Sequence, residues 1–279
     1  MRRKPIIGLI YDFDGTLSPG NMQEFGFIQA IGQTPEEFWS KSNGLAIGQD
    51  ASDILAYMKL MVDEAKKNHI KLTRENFKKY GEDIKLYEGV RDWFHNINEY
   101  GEKHGVIVEH YINSSGLTEI IDGSPIAKEF KHVFAGSFLY NEKGEAEWPG
   151  IAVDYTAKTQ YLFKIQKGIF SSRDATKVNE SLADESKRIP FTNMIYFGDG
   201  ETDVPSMKLV SMFGGNAIAV FDPSRPKKKE SAQKLLRQGR VNFITPASYT
   251  KDSRTYRLVT AIIDKIKAEN ELRQYSRYR

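Results

Sequence analysis

Two carboxylates stand two residues apart in Asp12-Phe13-Asp14-Gly15-Thr16-Leu17, directly after the apolar run Ile6-Ile7-Gly8-Leu9-Ile10. Residues i and i+2 of a strand project to the same side, so the two anions would crowd one small space. Keeping both ionised requires positive charge, and a hard cation such as Mg²⁺ suits oxygen ligands of this kind. Gly15 allows the chain to turn, and Thr16 can offer its hydroxyl and backbone amide to an anion. A metal, a carboxylate and an anion cradle at the end of a strand point to phosphate chemistry.

Two further segments carry matching residue types. Asn113-Ser114-Ser115-Gly116 follows the apolar stretch 106–112, and Gly198-Asp199-Gly200-Glu201-Thr202-Asp203 follows Met194-Ile-Tyr-Phe197. Parallel doubly wound sheets gather their ligands at the C-terminal ends of strands, so these segments belong with Asp12 and Asp14. Lys158 lies near the start of the helix before the later strand. In phosphoryl transfer one carboxylate can attack phosphorus, and a second can protonate the leaving oxygen and then activate water. The transferred group is anionic, so charge neutralisation by Mg²⁺, Lys158 and the Ser114 hydroxyl would supply much of the catalysis. Ser115 competes with Ser114, and either could cap the following helix. Lys164 and Lys167 compete with Lys158 on the same helix, and Asp203 could serve as a helix N-cap as well as a metal-site residue.

The elements that must position these residues follow from periodicity. The first strand covers 5–11. From Gly20 to Tyr87 the pattern is helical: Met22–Ile31 reads as one amphipathic segment, and Thr34-Pro35-Glu36-Glu37 opens a second with a capping box. A longer helix spans Asp50 to Asn68, with Ile54, Leu55, Met58, Met61 and Val62 on one face, and Thr73 begins a fourth. Helices are expected over 89–103, 154–167, 228–236 and 254–273, and strands over 131–140, 194–197, 217–221 and 241–244. Asn141-Glu-Lys-Gly144 supplies the turn of a β-hairpin. Strand–helix alternation predicts a parallel sheet with helices on both faces. The aromatic and methionine residues Phe25, Phe27, Phe38, Trp39, Tyr57, Met58 and Met61 are expected to form the core of the helical insert, with one or two facing the site.

Composition sets the outer bounds. The chain has 279 residues, no cysteine, 40% hydrophobic and 28% charged residues, and a formal charge of +3. Disulfides and thiol nucleophiles are excluded. No apolar run approaches the ~20 residues that span a bilayer, and the basic start lacks the apolar region of a secretory signal, so a cytoplasmic protein is expected. The clusters Lys227-Lys228-Lys229 and Arg273 to Arg279 are read as solvent-facing, and 171–187 as an exposed polar segment. The five histidines lack zinc-ligand spacing, and Gly198-x-Gly200 lacks the third glycine of a dinucleotide fingerprint.

In order, Asp12-Phe-Asp14-Gly-Thr-Leu, Ser114-Ser-Gly, Lys158 and Gly198-Asp-Gly-Glu-Thr-Asp203 resemble the four motifs of the haloacid dehalogenase superfamily, across roughly residues 6–210. The resemblance implies Asp12 as nucleophile and Asp14 as general acid/base. It implies Mg²⁺ on the Asp12 carboxylate, the Asp14 backbone carbonyl and Asp199, with Asp203 in support, and phosphoryl oxygens gripped by Ser114 and Lys158 beside Gly15 and Thr16. Haloalkanoic dehalogenases lack the second Asp, so Asp14 points to a phosphatase. The helical insert and hairpin resemble the phosphoserine phosphatase-like branch, but the branch's acidic residue for a substrate ammonium is matched by Asn21, with Glu24 one turn on. Thr202 stands where the family has Asn. Serine phosphate is thus one candidate among small phosphomonoesters.

The expected architecture is α/β: a Rossmann-like, doubly wound parallel-sheet core over 1–18 and 89–279, an inserted α-helical cap over 19–88, and a small β-hairpin. The expected activity is Mg²⁺-dependent hydrolysis of a small phosphomonoester through an aspartyl-phosphate, with neither membrane nor nucleic acid as partner. The rivals are a phosphotransferase or mutase on the same chemistry, a non-catalytic metal-binding regulator with this fold, and a nucleic-acid end phosphatase suggested by the basic tail.

Overall fold

Strand β1 (Ile6–Tyr11) is buried along its whole length, as an uninterrupted apolar run is when a sheet is covered on both faces. The computed structural model describes residues 4–171, 174–183 and 186–275. It places β1 in the middle of a seven-stranded sheet of order β4-β3-β2-β1-β5-β6-β7. The other strands are β2 (Ile107–Leu117), β3 (His132–Tyr140), β4 (Ala146–Ile151), β5 (Met194–Gly198), β6 (Asn216–Phe221) and β7 (Phe243–Pro246). All pairings are parallel except β3 with β4, an antiparallel hairpin at the edge.

The helices are α1 (Phe27–Ala30), α2 (Pro35–Gln49), α3 (Asp53–Lys67), α4 (Arg74–Glu82), α5 (Val90–Lys103), α6 (Thr118–Ile121), α7 (Ala157–Lys167), α8 (Ala175–Val178), α9 (Val204–Met212), α10 (Pro226–Arg237) and α11 (Arg254–Tyr275). Side chains of β1 alternate between two cores, as the strand period requires. Ile7, Leu9 and Tyr11 join Trp93, Phe94 and Ile97 of α5 and Ile262, Ile263 and Ile266 of α11. Ile6 and Ile10 join Leu162 and Ile165 of α7 and Met207 and Val210 of α9. The first core continues without a break into Phe38, Met58, Met61 and Phe77 of α2, α3 and α4. Among the described residues no helix is long and apolar enough to cross a membrane.

Several sequence expectations change in detail. The Thr34 capping box forms, with Glu37 N–H donating to Thr34 Oγ1 at 3.2 Å and Thr34 N–H to Glu37 Oε2 at 2.8 Å. The segment 22–31 is not one helix; it breaks at Gly26, where the backbone lies against Tyr80. Helix α3 starts later than expected, capped by Ser52, and Leu55 is 44% exposed because it lies about 100° round the helix from Ile54. Strand β2 does not stop at Ile112. It runs on to Leu117, but its register against β3 shifts between Asn113 and Leu117, which frees Ser114 from regular pairing. Within the polar segment 171–187, Lys167 donates to the carbonyls of Val178 and Glu180; residues 172, 173, 184 and 185 lie outside the described residues, as do Arg277 and Arg279 of the basic tail.

A buried polar chain locks the end of β1. Trp93 Nε1 donates to Tyr11 Oη at 2.8 Å, Tyr11 Oη lies 3.0 Å from His110 Nδ1, and His110 Nε2 lies 3.0 Å from Asn98 Oδ1. The network assigns His110 as the Nε2–H tautomer, accepting from Tyr11 and donating to Asn98. Burial lowers the His110 pKa from 6.5 to about 3, so the fold holds the ring neutral. The unfolded chain therefore binds an extra proton below about pH 6.5, and the stability this ring permits at neutral pH is lost as pH falls toward 3. This residue should cost the protein about 2 kcal/mol between about pH 7.5 and 5. Urea denaturation at the two pH values should show a clearly smaller loss for His110→Gln than for wild type; equal losses would refute the assignment.

Candidate active site

Three neighbouring strands carry the site at one level, although β2 itself continues to Leu117. Tyr11 pairs with Ile112 on one side and Phe197 on the other, so Asp12, Ser114 and Asp199 leave the sheet side by side. Asp12 stays anchored to the sheet edge, its N–H donating to Phe197 O at 2.9 Å. Because β1 closes at Tyr11, Asp12 and Asp14 are not on one strand and strand alternation does not govern them; Asp14 instead bridges to Ser18 in the following turn.

The centre of the site is an ion pair on three elements. Lys158, fully buried in the first turn of α7, places Nζ 3.1 Å from Asp12 Oδ1 and 2.8 Å from Asp203 Oδ1. Asp203 Oδ1 also accepts from Tyr196 Oη at 2.8 Å, and Asn113 Nδ2 holds the Lys158 carbonyl at 3.0 Å. Asp203 does not cap α9 with its side chain, because the carboxylate turns inward to Lys158. A Cβ at Gly198 would lie 2.5 Å from Asp203 Cγ, so only glycine leaves room for that turn. Burial alone would drive the Lys158 ammonium down, but the two carboxylates outweigh it and hold its pKa above the ordinary lysine range. Burial first, then Asp203, pushes the Asp12 carboxyl up to about 8, against the opposing pull of Lys158. These two tendencies conflict for a full ion pair; the direct N–H···O contacts favour a protonated Lys158.

The other expected residues arrange themselves around this pair. Asp14 Oδ1 accepts from Met22 N–H at 3.0 Å, and burial, followed by the charge of Asp12, raises its pKa well above the carboxylate range. Gly15 has φ +74°, and a Cβ there would lie 2.3 Å from Asp199 Oδ2. Asp199 is paired with Lys228 Nζ at 2.7 Å. Ser114 Oγ accepts from Gly116 N–H at 3.0 Å, which leaves its own proton free to donate. Thr16 departs from expectation: its N–H bonds to Phe13 O inside the turn, and its buried hydroxyl does not reach the cavity. Carboxylate oxygens of Asp12, Asp199 and Asp203 come within 4.8 Å of one another, whereas the Asp14 carboxylate stays out of that group. The three clustered carboxylates of Asp12, Asp199 and Asp203 face two ammonium groups, Lys158 and Lys228, so the cluster is formally acidic.

A cavity of about 470 Å³ opens over Asp12, Asp14, Gly15, Ser114 and Asp199. Lys158, fully buried and bonded to Asp12, does not itself line the cavity. The helical segment between β1 and α5 contributes Asn21, Gln23, Glu24, Trp39, Ser42, Asn43, Asp53 and Tyr57 to its lining. Glu24 Oε1 is held by Asn21 Nδ2 at 2.7 Å and Trp39 Nε1 at 2.9 Å, and Tyr57 Oη donates to Ser115 O at 2.8 Å. Of the seven residues expected to form the core of the helical segment, Trp39 and Tyr57 also line the cavity, Phe27, Phe38, Met58 and Met61 are buried core, and Phe25 packs against it; Tyr87 lines the cavity as well. Sequence reasoning missed Asp222, Arg225 and Lys228, which also line it. They follow the C-terminal end of β6, so the strand-end rule that found Asp199 would have found Asp222 too.

A family model described as haloacid dehalogenase-like hydrolase matches residues 9–208. An uncharacterized protein of Borreliella burgdorferi is 28% identical over 285 aligned residues, covering 91% of this chain and 95% of that one. A solved structure of a probable phosphoserine phosphatase from Vibrio cholerae superposes with TM-score 0.57 at 12% identity, covering 96% of this chain and 67% of that one. A hydrolase of the same family from Salmonella enterica serovar Typhi gives 0.56 at 15%, covering 93% and 72%. A phosphoserine phosphatase in apo form gives 0.53 at 18%, covering 87% and 93%. At these identities the solved structures establish a shared fold.

Removing the Lys158 charge would strand two buried carboxylates. Lys158→Met should cost about 3–5 kcal/mol in chemical denaturation. Adding Asp203→Asn should restore part of that loss; a single variant as stable as wild type would show that the pair carries no such weight.

Proposed function

The chain belongs to the haloacid dehalogenase-like hydrolase family, and on that footing we propose that it is a Mg²⁺-dependent phosphatase hydrolysing a small phosphomonoester through an aspartyl-phosphate on Asp12. The observation that carries this reading is the placement of Asp12: its carboxylate lines the cavity, one oxygen tied to Lys158 and to Phe13 N–H at 2.8 Å. An oxygen of Asp12 attacks phosphorus as the ester P–O bond breaks, and the leaving oxygen takes its proton from Asp14. The raised pKa of Asp14 supports its carrying that proton at neutral pH. In the second step Asp14 accepts a proton from water, which attacks the same phosphorus, releasing inorganic phosphate and restoring Asp12.

Ser114 and Lys158 are the groups we assign to the phosphoryl oxygens, Ser114 by its free proton and Lys158 by its charge. The clustered carboxylates and the all-oxygen donors fit a divalent hard cation, and Asp12, Asp199 and the Asp14 carbonyl would hold it, with Asp203 behind. When bound, Mg²⁺ supplies charge neutralisation for the transferring phosphoryl group. Residues 19–88 act in this reading as a cap that closes the cavity and screens the intermediate from bulk water. A cytoplasmic setting belongs to the same proposal.

Phosphate release from a panel of small phosphomonoesters, with Mg²⁺ and with chelator, tests the proposal. Release should require Mg²⁺ and drop to background in Asp12→Asn, while Asp14→Asn should lower kcat by roughly 10²–10⁴. A fully active Asp12→Asn protein would sink the mechanism.

A further inference from the structure

The run Lys227-Lys228-Lys229 reads in sequence as a solvated helix face, and Lys227 and Lys229 are exposed as expected, but Lys228 lines the catalytic cavity and Lys227 a groove beside it. A groove of about 1110 Å³ lies between the loop after β5 and helix α10. It shares Asp199, Gly200, Glu201, Arg225 and Lys228 with the cavity, so the two spaces adjoin. Beyond that junction its charged lining is entirely basic: Lys227, Lys234 and Arg240. The carboxylates in the groove, Asp199 and Glu201, sit only at the shared end, and Asp199 is already paired with Lys228. Among the described residues Lys227, Lys234 and Arg240 have no ion-pair partner.

We propose that this groove binds a second phosphate of the substrate, so that the substrate class is a phosphomonoester carrying at least one further phosphate, ester or diester, at a distance from the scissile one. The inference rests on the phosphatase reading given above. Unpaired cations lining a concave surface focus positive potential, and phosphate oxygens accept several charge-assisted hydrogen bonds at once. The acidic cavity and the basic groove thus divide the work: one end takes the group to be cleaved together with its metal, and the other takes an anion that is kept. Tyr155, 44% exposed on the groove wall, offers a flat face to whatever joins the two phosphates.

Lys234 and Arg240 lie outside the catalytic cavity, so Lys234→Glu/Arg240→Glu separates the two ends. KM would be compared, at low and raised salt, for a hexose monophosphate against a hexose bisphosphate, and for a mononucleotide against a dinucleotide with a terminal phosphate. In wild type the second phosphate should lower KM roughly tenfold in at least one pair, with little change in kcat and a smaller advantage at high salt. The double variant should lose that advantage while keeping wild-type activity on the single-phosphate compounds; the pair that responds identifies the source of the second phosphate. Lys234→Gln/Arg240→Gln should behave alike and serves if charge reversal impairs folding. Equal KM within both pairs, or an advantage that survives in the variants, overturns the proposal. Absence of phosphate release from every compound would instead remove the phosphatase reading, and calorimetric titration of the same four compounds into wild type and variant then decides on the groove by the same comparison.

Discussion

Everything in the site depends on a single buried ammonium. Lys158 is wholly out of water and lies within hydrogen-bonding distance of Asp12 and Asp203, which come from the loops after two different strands. A charge in that position is tolerable only if its partners are held still, because desolvation costs several kcal/mol per ion and imperfect geometry does not return it. The surrounding structure meets that demand. Tyr196 orients Asp203, Asn113 pins the Lys158 backbone, Gly198 leaves room for the Asp203 carboxylate, and the Trp93–Tyr11–His110–Asn98 chain fixes the strand that ends in Asp12.

The sheet supplies the other half of the constraint. Parallel strands all present their C-terminal ends on one edge, so residues far apart in sequence are delivered to one level without any local interaction between them. Here β2, β1 and β5 are adjacent, and the Asp12 amide is itself bonded to Phe197 at the end of β5. The register shift in β2 then turns Ser114 out of the ladder at the same height. Helices α2, α3 and α4 share an apolar core with one face of this sheet, which sets Trp39, Tyr57 and Glu24 across from the carboxylates.

Charge is distributed unevenly around that centre. Carboxylates outnumber ammonium groups over the cavity, and basic side chains take over along α10. Lys228 stands at the boundary, bound to Asp199, so the two regions are electrically as well as spatially joined.

Much of this was legible in the residues themselves. The apolar run before Asp12 specified a strand, the Thr34 capping box and the pattern beginning at Thr73 specified two helices, and the strand-end rule singled out Asp12, Ser114 and Asp199, because each of these signals is local and rests on a period or a cap. What escaped was non-local. At the Gly26 break the backbone lies against Tyr80, more than fifty residues on, and the register of β2 against β3 shifts across Ser114. Thr16 carries the right chemical groups but is sealed inside its own turn, and of the lysine run on α10, solvated at Lys227 and Lys229 as expected, Lys228 turns to Asp199 because α10 lies beside the loop after β5. Sequence by itself determined which elements form and which residue types could do phosphate chemistry, since periodicity and capping act over one or two turns. The tertiary structure alone decided which of those residues share a dry, charged space, since burial and Coulomb interaction depend on distance in three dimensions and not along the chain.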